Sequence, residues 1–233
     1  MVRTVEGVVG GLISEVVREP VVLSVAGRTD AGVHAWGQVI SFVTTSRVAP
    51  GKMLRALNGA LAPEVVAREA AYAPEGFDAR FSASAREYRY VIDTASVPDP
   101  FMGRFVWHRP GELSAARMRS AARLLIGEHD FASFCRRPGA GRSTVRRLER
   151  VSIRREGDQL VFGLRANAFL HQMVRSLVGM LVAVGDGRIE PEALLRILEA
   201  RDRSMARHIA PARGLTLDRV TYGKRKPPGG APG

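Results

Sequence analysis

Apolar and polar positions recur along this chain with two periods, one helical and one extended. Val5, Val8, Val9, Leu12, Ile13, Val16 and Val17 return at helical spacing, so residues 4–18 are predicted to form a helix capped by Thr4 and stopped by Pro20. Residues 21–26 (VVLSVA) read as a buried strand ending at Gly27, and residues 37–43 (GQVISFV) as a second. A short helix is expected after Pro50 (GKMLRAL), then a strand near 64–72. Residues 73–82, with Pro74 and Gly76, read as a connection. The long strand SAREYRYVID follows, with Tyr88, Tyr90 and Ile92 on one face and Arg89 and Val91 on the other.

Beyond it, residues 114–126 carry Ala115, Met118, Ala122 and Leu125 at helical spacing, and 136–143 (RRPGAGRS) form a basic, glycine-rich loop. Strands near 145–155 and 159–166 are predicted to make a hairpin around Glu156-Gly157-Asp158. A strongly apolar helix is expected over 169–184 and another over 191–200, with Pro191 in its first turn. A strand at 215–222 closes the pattern. The implied class is α+β, an antiparallel or mixed central sheet flanked by helices. The boundary falls after 78: an N-terminal half over 1–78, a C-terminal half over 79–222, and a disordered basic tail over 223–233.

Composition adds a partner and removes several classes. The 233 residues include 35 Lys+Arg against 23 Asp+Glu, a net charge of +12, which favours a polyanion. Only Lys52, Lys224 and Lys226 are lysines, so GC-rich coding is a competing source of the arginine excess. No apolar run approaches the roughly 20 residues of a membrane span, and the start lacks the layout of a secretory signal. The single cysteine, Cys135, excludes an intrachain disulfide and points to the reducing cytosol.

The densest polar cluster is Gly27-Arg28-Thr29-Asp30-Ala31-Gly32-Val33-His34-Ala35, between two apolar strands. An acid beside an arginine at a strand end suits a catalytic loop, and it suits a polar surface turn as well. The other signals are weak. His34, His108, His129, His171 and His208 have no ligand spacing. No serine sits in a nucleophile elbow, and Cys135 has no evident partner. The stretch 139–144 departs from a phosphate loop, with Arg142 at the lysine position. His171 and Met173 read as packing residues of the apolar helix.

The segment GRTDAGVHAWGQVISF resembles the signature of the TruA family of tRNA pseudouridine synthases. Further stretches resemble later family motifs in order: 77–90 (FDARFSASAREYRY), 125–134 (LIGEHDFASF), 166–179 (ANAFLHQMVRSLVG) and 211–217 (PARGLTL). The resemblance implies two ferredoxin-like halves with a cleft between them. It makes Asp30 the catalytic nucleophile, Tyr88 the residue that meets the target uracil, Arg175 the partner of the acid, and Arg28 the residue that helps extrude the nucleotide. It also implies no cofactor, action on positions 38–40 of the tRNA anticodon arm, and a homodimer. Family members carry a first strand and a Gly-Trp-Gln stretch ahead of the helix at which this chain opens, so a truncated start is expected. The alternative is a catalytically impaired tRNA-binding homologue of the same fold. By charge, the candidate RNA contacts are Arg136, Arg137, Arg142, Arg146 and Arg147, with the tail residues Lys224, Arg225 and Lys226.

Overall fold

The computed structural model describes residues 3–136, 139 and 141–223. They fall into two units: the described residues of Met1–Ala26 with Val39–Ala83, and Gly27–Gln38 with Ser84–Gly223. The expectations for Arg137 and the tail lie outside the described residues.

In the first unit, α1 spans Val5–Val17 and α2 spans Pro50–Leu61. Thr4 accepts from the Gly7 N–H as N-cap, and Arg18 closes α1 in the left-handed region. Val9, Ile13 and Val17, four residues apart, pack with Met53 and Leu57 into a small core. Strands β1 (Ser24–Val25) and β3 (Ile40–Ser41) pair antiparallel, much shorter than expected. The strand expected near 64–72 is absent: these residues run as a turn and irregular backbone. Asn58 explains the difference. Its amide donates to the Ala67 carbonyl (2.8 Å) and accepts from the Ala67 N–H (2.7 Å), so one side chain satisfies the backbone that a neighbouring strand would have paired.

The second unit is a mixed sheet with helices. Its strands are β2 (His34–Ala35), β4 (Ala83–Asp93), β5 (Trp107–His108), β6 (Gly127–Asp130), β7 (Val145–Glu156), β8 (Gln159–Ala166) and β9 (Leu215–Tyr222). The order is β2-β9-β4-β8-β7-β6, with β5 alongside β4. The pairs β4/β8, β7/β8 and β6/β7 are antiparallel, while β2/β9 and β4/β5 are parallel. The hairpin of β7 and β8 turns at Gly157, whose φ of 61° suits glycine.

Helices α3 (Ala115–Arg123), α4 (Met173–Gly185) and α5 (Ala193–Ala200) complete this unit. Every α4 residue except Arg175 is buried, the mark of a helix enclosed on all sides. Its Leu177, Val178 and Leu181 share one core with Tyr90, Ile92, Phe162 and Leu164 of the sheet. Each such side chain contributes about 1.5–3 kcal/mol by leaving water. The helix expected over 169–184 starts only at Met173, because Gln172 takes a left-handed conformation (φ 63°). Among the described residues, no helix is long and apolar enough to cross a membrane.

Gly27–Gln38, read from sequence within the N-terminal half, groups with the second unit because its backbone joins β9. That excursion carries Asp30.

Candidate active site

The segment 27–38 is held along its length. Gln38 closes its neck, donating to the Gly27 carbonyl (2.6 Å) and accepting from the Gly27 N–H (3.2 Å). The Val33 N–H donates to the Asp30 carbonyl (3.0 Å), forming a turn in which Gly32 has φ 79°. His34 and Ala35 pair with Thr216 and Leu217 of β9, and the N–H groups of Trp36 and Gly37 both donate to the Leu217 carbonyl. A β-carbon at position 37 would overlap the Asp218 carbonyl, so glycine is needed for this approach. The imidazole of His34 adds a bond to the Arg104 carbonyl (2.8 Å).

Asp30 is thereby presented to the start of α4. Its Oδ2 lies 2.7 Å from Arg175 Nη1, and its Oδ1 lies 3.0 Å from His171 Nε2. The Asp30 and Arg175 side chains are only 20% and 18% exposed, so much of their hydration has been exchanged for each other. Arg175 is itself anchored. Its Nε donates to the Ala210 carbonyl (2.8 Å), and the Ala210 N–H donates to the Arg175 carbonyl (3.0 Å). A β-carbon on Gly179 would sit 2.5 Å from the His208 carbonyl, so a small residue one turn along α4 lets this segment come close.

Tyr88 projects from β4 on the face it shares with Tyr90 and Ile92, opposite Leu164 of β8. It packs edge-on against Phe169, with ring centroids 5.1 Å apart, and is 8% exposed. Its hydroxyl lies 3.5 Å from where a Gly27 β-carbon would stand, beside the neck of the Asp30 segment. Burial pushes its phenol up to about 12; the Arg86 charge opposes the rise and the Asp30 charge adds to it. At neutral pH the hydroxyl therefore keeps its hydrogen and is available as a donor.

The structure thus brings Asp30, Arg175 and Tyr88 into one region of the second unit. It adds Arg86, not singled out from the sequence, and His171, read there as a packing residue. Arg86 is 9% exposed two positions before Tyr88, and its Nη1 donates to the Asn167 carbonyl (3.0 Å). His171 is no core residue: its side chain is 48% exposed, ahead of α4, with Nε2 3.0 Å from Asp30 Oδ1.

The charge-based candidates separate. Arg28 is exposed on the Asp30 segment, and Arg136 and Arg142 are exposed too. Arg136 begins the basic loop next to the site, its N–H donating to the His171 carbonyl (3.0 Å). Arg147 is 62% exposed and pairs with Glu149. Arg146 differs. Its Nη1 folds back onto the Ser143 and Val145 carbonyls, and its Nε is buried without a hydrogen-bond partner in the described structure. Among the described residues, no three His, Cys, Asp or Glu side chains gather as a metal-ligand set.

Comparison with known proteins adds independent findings. A family model described as tRNA pseudouridine synthase matches residues 121–223. The chain is 42% identical over 219 residues to a tRNA pseudouridine synthase A of Moorella thermoacetica, covering 94% of this chain and 89% of that protein. It is 41% identical over 219 residues to one of Brevibacillus brevis, covering 94% and 90%. Over 225 residues it is 47% identical to one of Frankia casuarinae, covering 94% and 81%.

Proposed function

This chain belongs to the tRNA pseudouridine synthase A family, and from that premise we propose that it isomerises uridine to pseudouridine at positions 38–40 of the tRNA anticodon arm, with Asp30 as nucleophile. The reaction breaks the N1–C1′ bond and forms C5–C1′; C5 loses a proton and N1 gains one. No electron is exchanged and no group is lost, so the reading includes no cofactor. It places the enzyme in the cytosol as a homodimer.

The observation that carries the reading is Asp30 held by Arg175 at 2.7 Å in a largely buried setting. A carboxylate attacks carbon only when ionised, and burial alone favours the neutral form. Arg175 places a counter-charge against Oδ2. Tyr88, neutral and beside the neck of the loop, presents an edge and a hydroxyl to a base entering near Asp30. A paired base must first leave its stack, at a cost of a few kcal/mol. Exposed Arg28 is suited to fill the gap or hold the displaced phosphate. Arg136 and Arg142 supply charge for a backbone recognised by shape rather than base edges.

The test uses tRNA transcripts tritiated at uridine C5. Wild-type enzyme is expected to release tritium from transcripts with a single uridine at 38, 39 or 40, and not from one with uridine at none of these. Asp30→Asn and Asp30→Ala should abolish release while keeping tRNA affinity within about threefold. Turnover in these variants removes Asp30 as nucleophile. A wild-type chain that binds tRNA without releasing tritium supports the tRNA-binding alternative instead.

A further inference from the structure

We infer that His171 is a positioning residue for Asp30, an inference that rests on reading Asp30 as the nucleophile. The carboxylate is held from two sides. Arg175 takes Oδ2 at 2.7 Å and His171 takes Oδ1 at 3.0 Å. An ionised carboxylate only accepts, so the attractive form of this contact is the imidazole with its hydrogen on Nε2. One donor alone would leave the carboxylate plane free to turn about its terminal torsion, which is soft. A second contact on the other oxygen restricts that freedom, and each oxygen still keeps a lone pair for carbon.

The backbone explains how both donors arrive. Arg175 projects from the first turn of α4. Gln172, left-handed at φ 63°, redirects the chain immediately before that turn, so His171 approaches from outside the helix. The Arg136 N–H, bonded to the His171 carbonyl at 3.0 Å, fixes the main chain there. The two donors differ in surroundings. Arg175 is 18% exposed and tied to the Ala210 carbonyl, whereas the His171 side chain is 48% exposed. With half of it in solvent, the imidazole has little packing to lose. Among the described residues, the polar contact of its ring is with the Asp30 carboxylate.

The experiment measures single-turnover tritium release, tRNA affinity and thermal unfolding for His171→Ala and His171→Gln, with Asp30→Ala alongside. His171→Ala should slow release roughly 10- to 100-fold, the scale of a small misplacement of a reacting group. Its tRNA affinity should stay within about twofold, so the loss appears in the rate and not in KM. His171→Gln, whose amide N–H reaches the same oxygen, should recover to within about fivefold of wild type. A wild-type rate in His171→Ala overturns the inference. So does an equal loss in both variants accompanied by weaker tRNA binding or lower Tm, which would make the residue structural. If His171→Ala does not fold, His171→Phe keeps a ring without a donor, and a wild-type rate there is equally fatal. Failure of the Asp30 reading is distinguishable, since it appears as tritium release by Asp30→Ala.

Discussion

Helix α4 carries a cation-bound carboxylate at each end, and the two are held differently. At its C-terminus, Asp186 is 13% exposed. Arg188 reaches both its oxygens (Nε at 2.9 Å from each, Nη2 at 2.5 Å from Oδ2), and Arg109 Nη2 adds a contact at 2.6 Å. Two arginines there offset both burial and the negative end of the helix dipole. Burial raises the Asp186 pKa, but the Arg188 bonds and the Arg188 and Arg109 charges together leave it below the usual range. At the N-terminal end, Asp30 has one nitrogen against each oxygen among the described residues, one of them from a half-exposed imidazole. The comparison teaches that pairing alone does not mark a working carboxylate. Asp186 is gripped by two arginines, whereas Asp30 is held by one and retains capacity for another partner.

The sharpest break is functional. Asp30→Asn should reduce tritium release by at least about 10³-fold, while Asp186→Asn leaves it within about twofold at a permissive temperature. Equal losses would erase the distinction. Next comes Arg175→Ala, which strands a mostly buried carboxylate. Urea unfolding should show a loss of about 3–5 kcal/mol, together with loss of turnover.

Asp186→Asn should cost about 1–3 kcal/mol near neutral pH, because its partly buried partner Arg109 loses a charged acceptor. It should also change the acid limb. A carboxyl with a lowered folded pKa contributes fully above the unfolded value of about 3.9 and loses that contribution as pH falls through the folded one. Unfolding free energies at pH 6 and pH 3 should therefore converge in the variant relative to wild type. The smallest effect belongs to Glu87→Gln. Glu87 pairs with Arg165 (2.5 Å) and Arg150 (3.0 Å), and those arginines are 29% and 61% exposed. A cost below about 1 kcal/mol is expected, with turnover unchanged.

Much of this arrangement was legible in the residues. The apolar repeat of 4–18, the alternation of 84–93 and the turn at Glu156-Gly157-Asp158 each carry local signals strong enough to survive packing. The strand expected near 64–72 failed because Asn58, distant from that pattern, satisfies the backbone of Ala67. Strands β2, β5 and β6 are only two to four residues long and depend on their neighbours rather than on their own composition. At the site, Asp30 and Arg175 were named from motif resemblance, and no periodicity links positions so far apart. His171 was missed because the apolar run after it suggested a helix that already included it. The left-handed Gln172 excludes it from that helix and frees the ring to reach Asp30.

The parallel pairing of β2 with β9 has a consequence for the order of synthesis. The strand that anchors the Asp30 segment is translated long after the segment itself, since His34 and Ala35 wait for Thr216 and Leu217. A nascent chain on the ribosome carries Asp30 early but lacks the backbone that steadies its segment. A chain cut short before Thr216 leaves the Trp36 and Gly37 N–H groups without the Leu217 carbonyl that they reach in the folded protein.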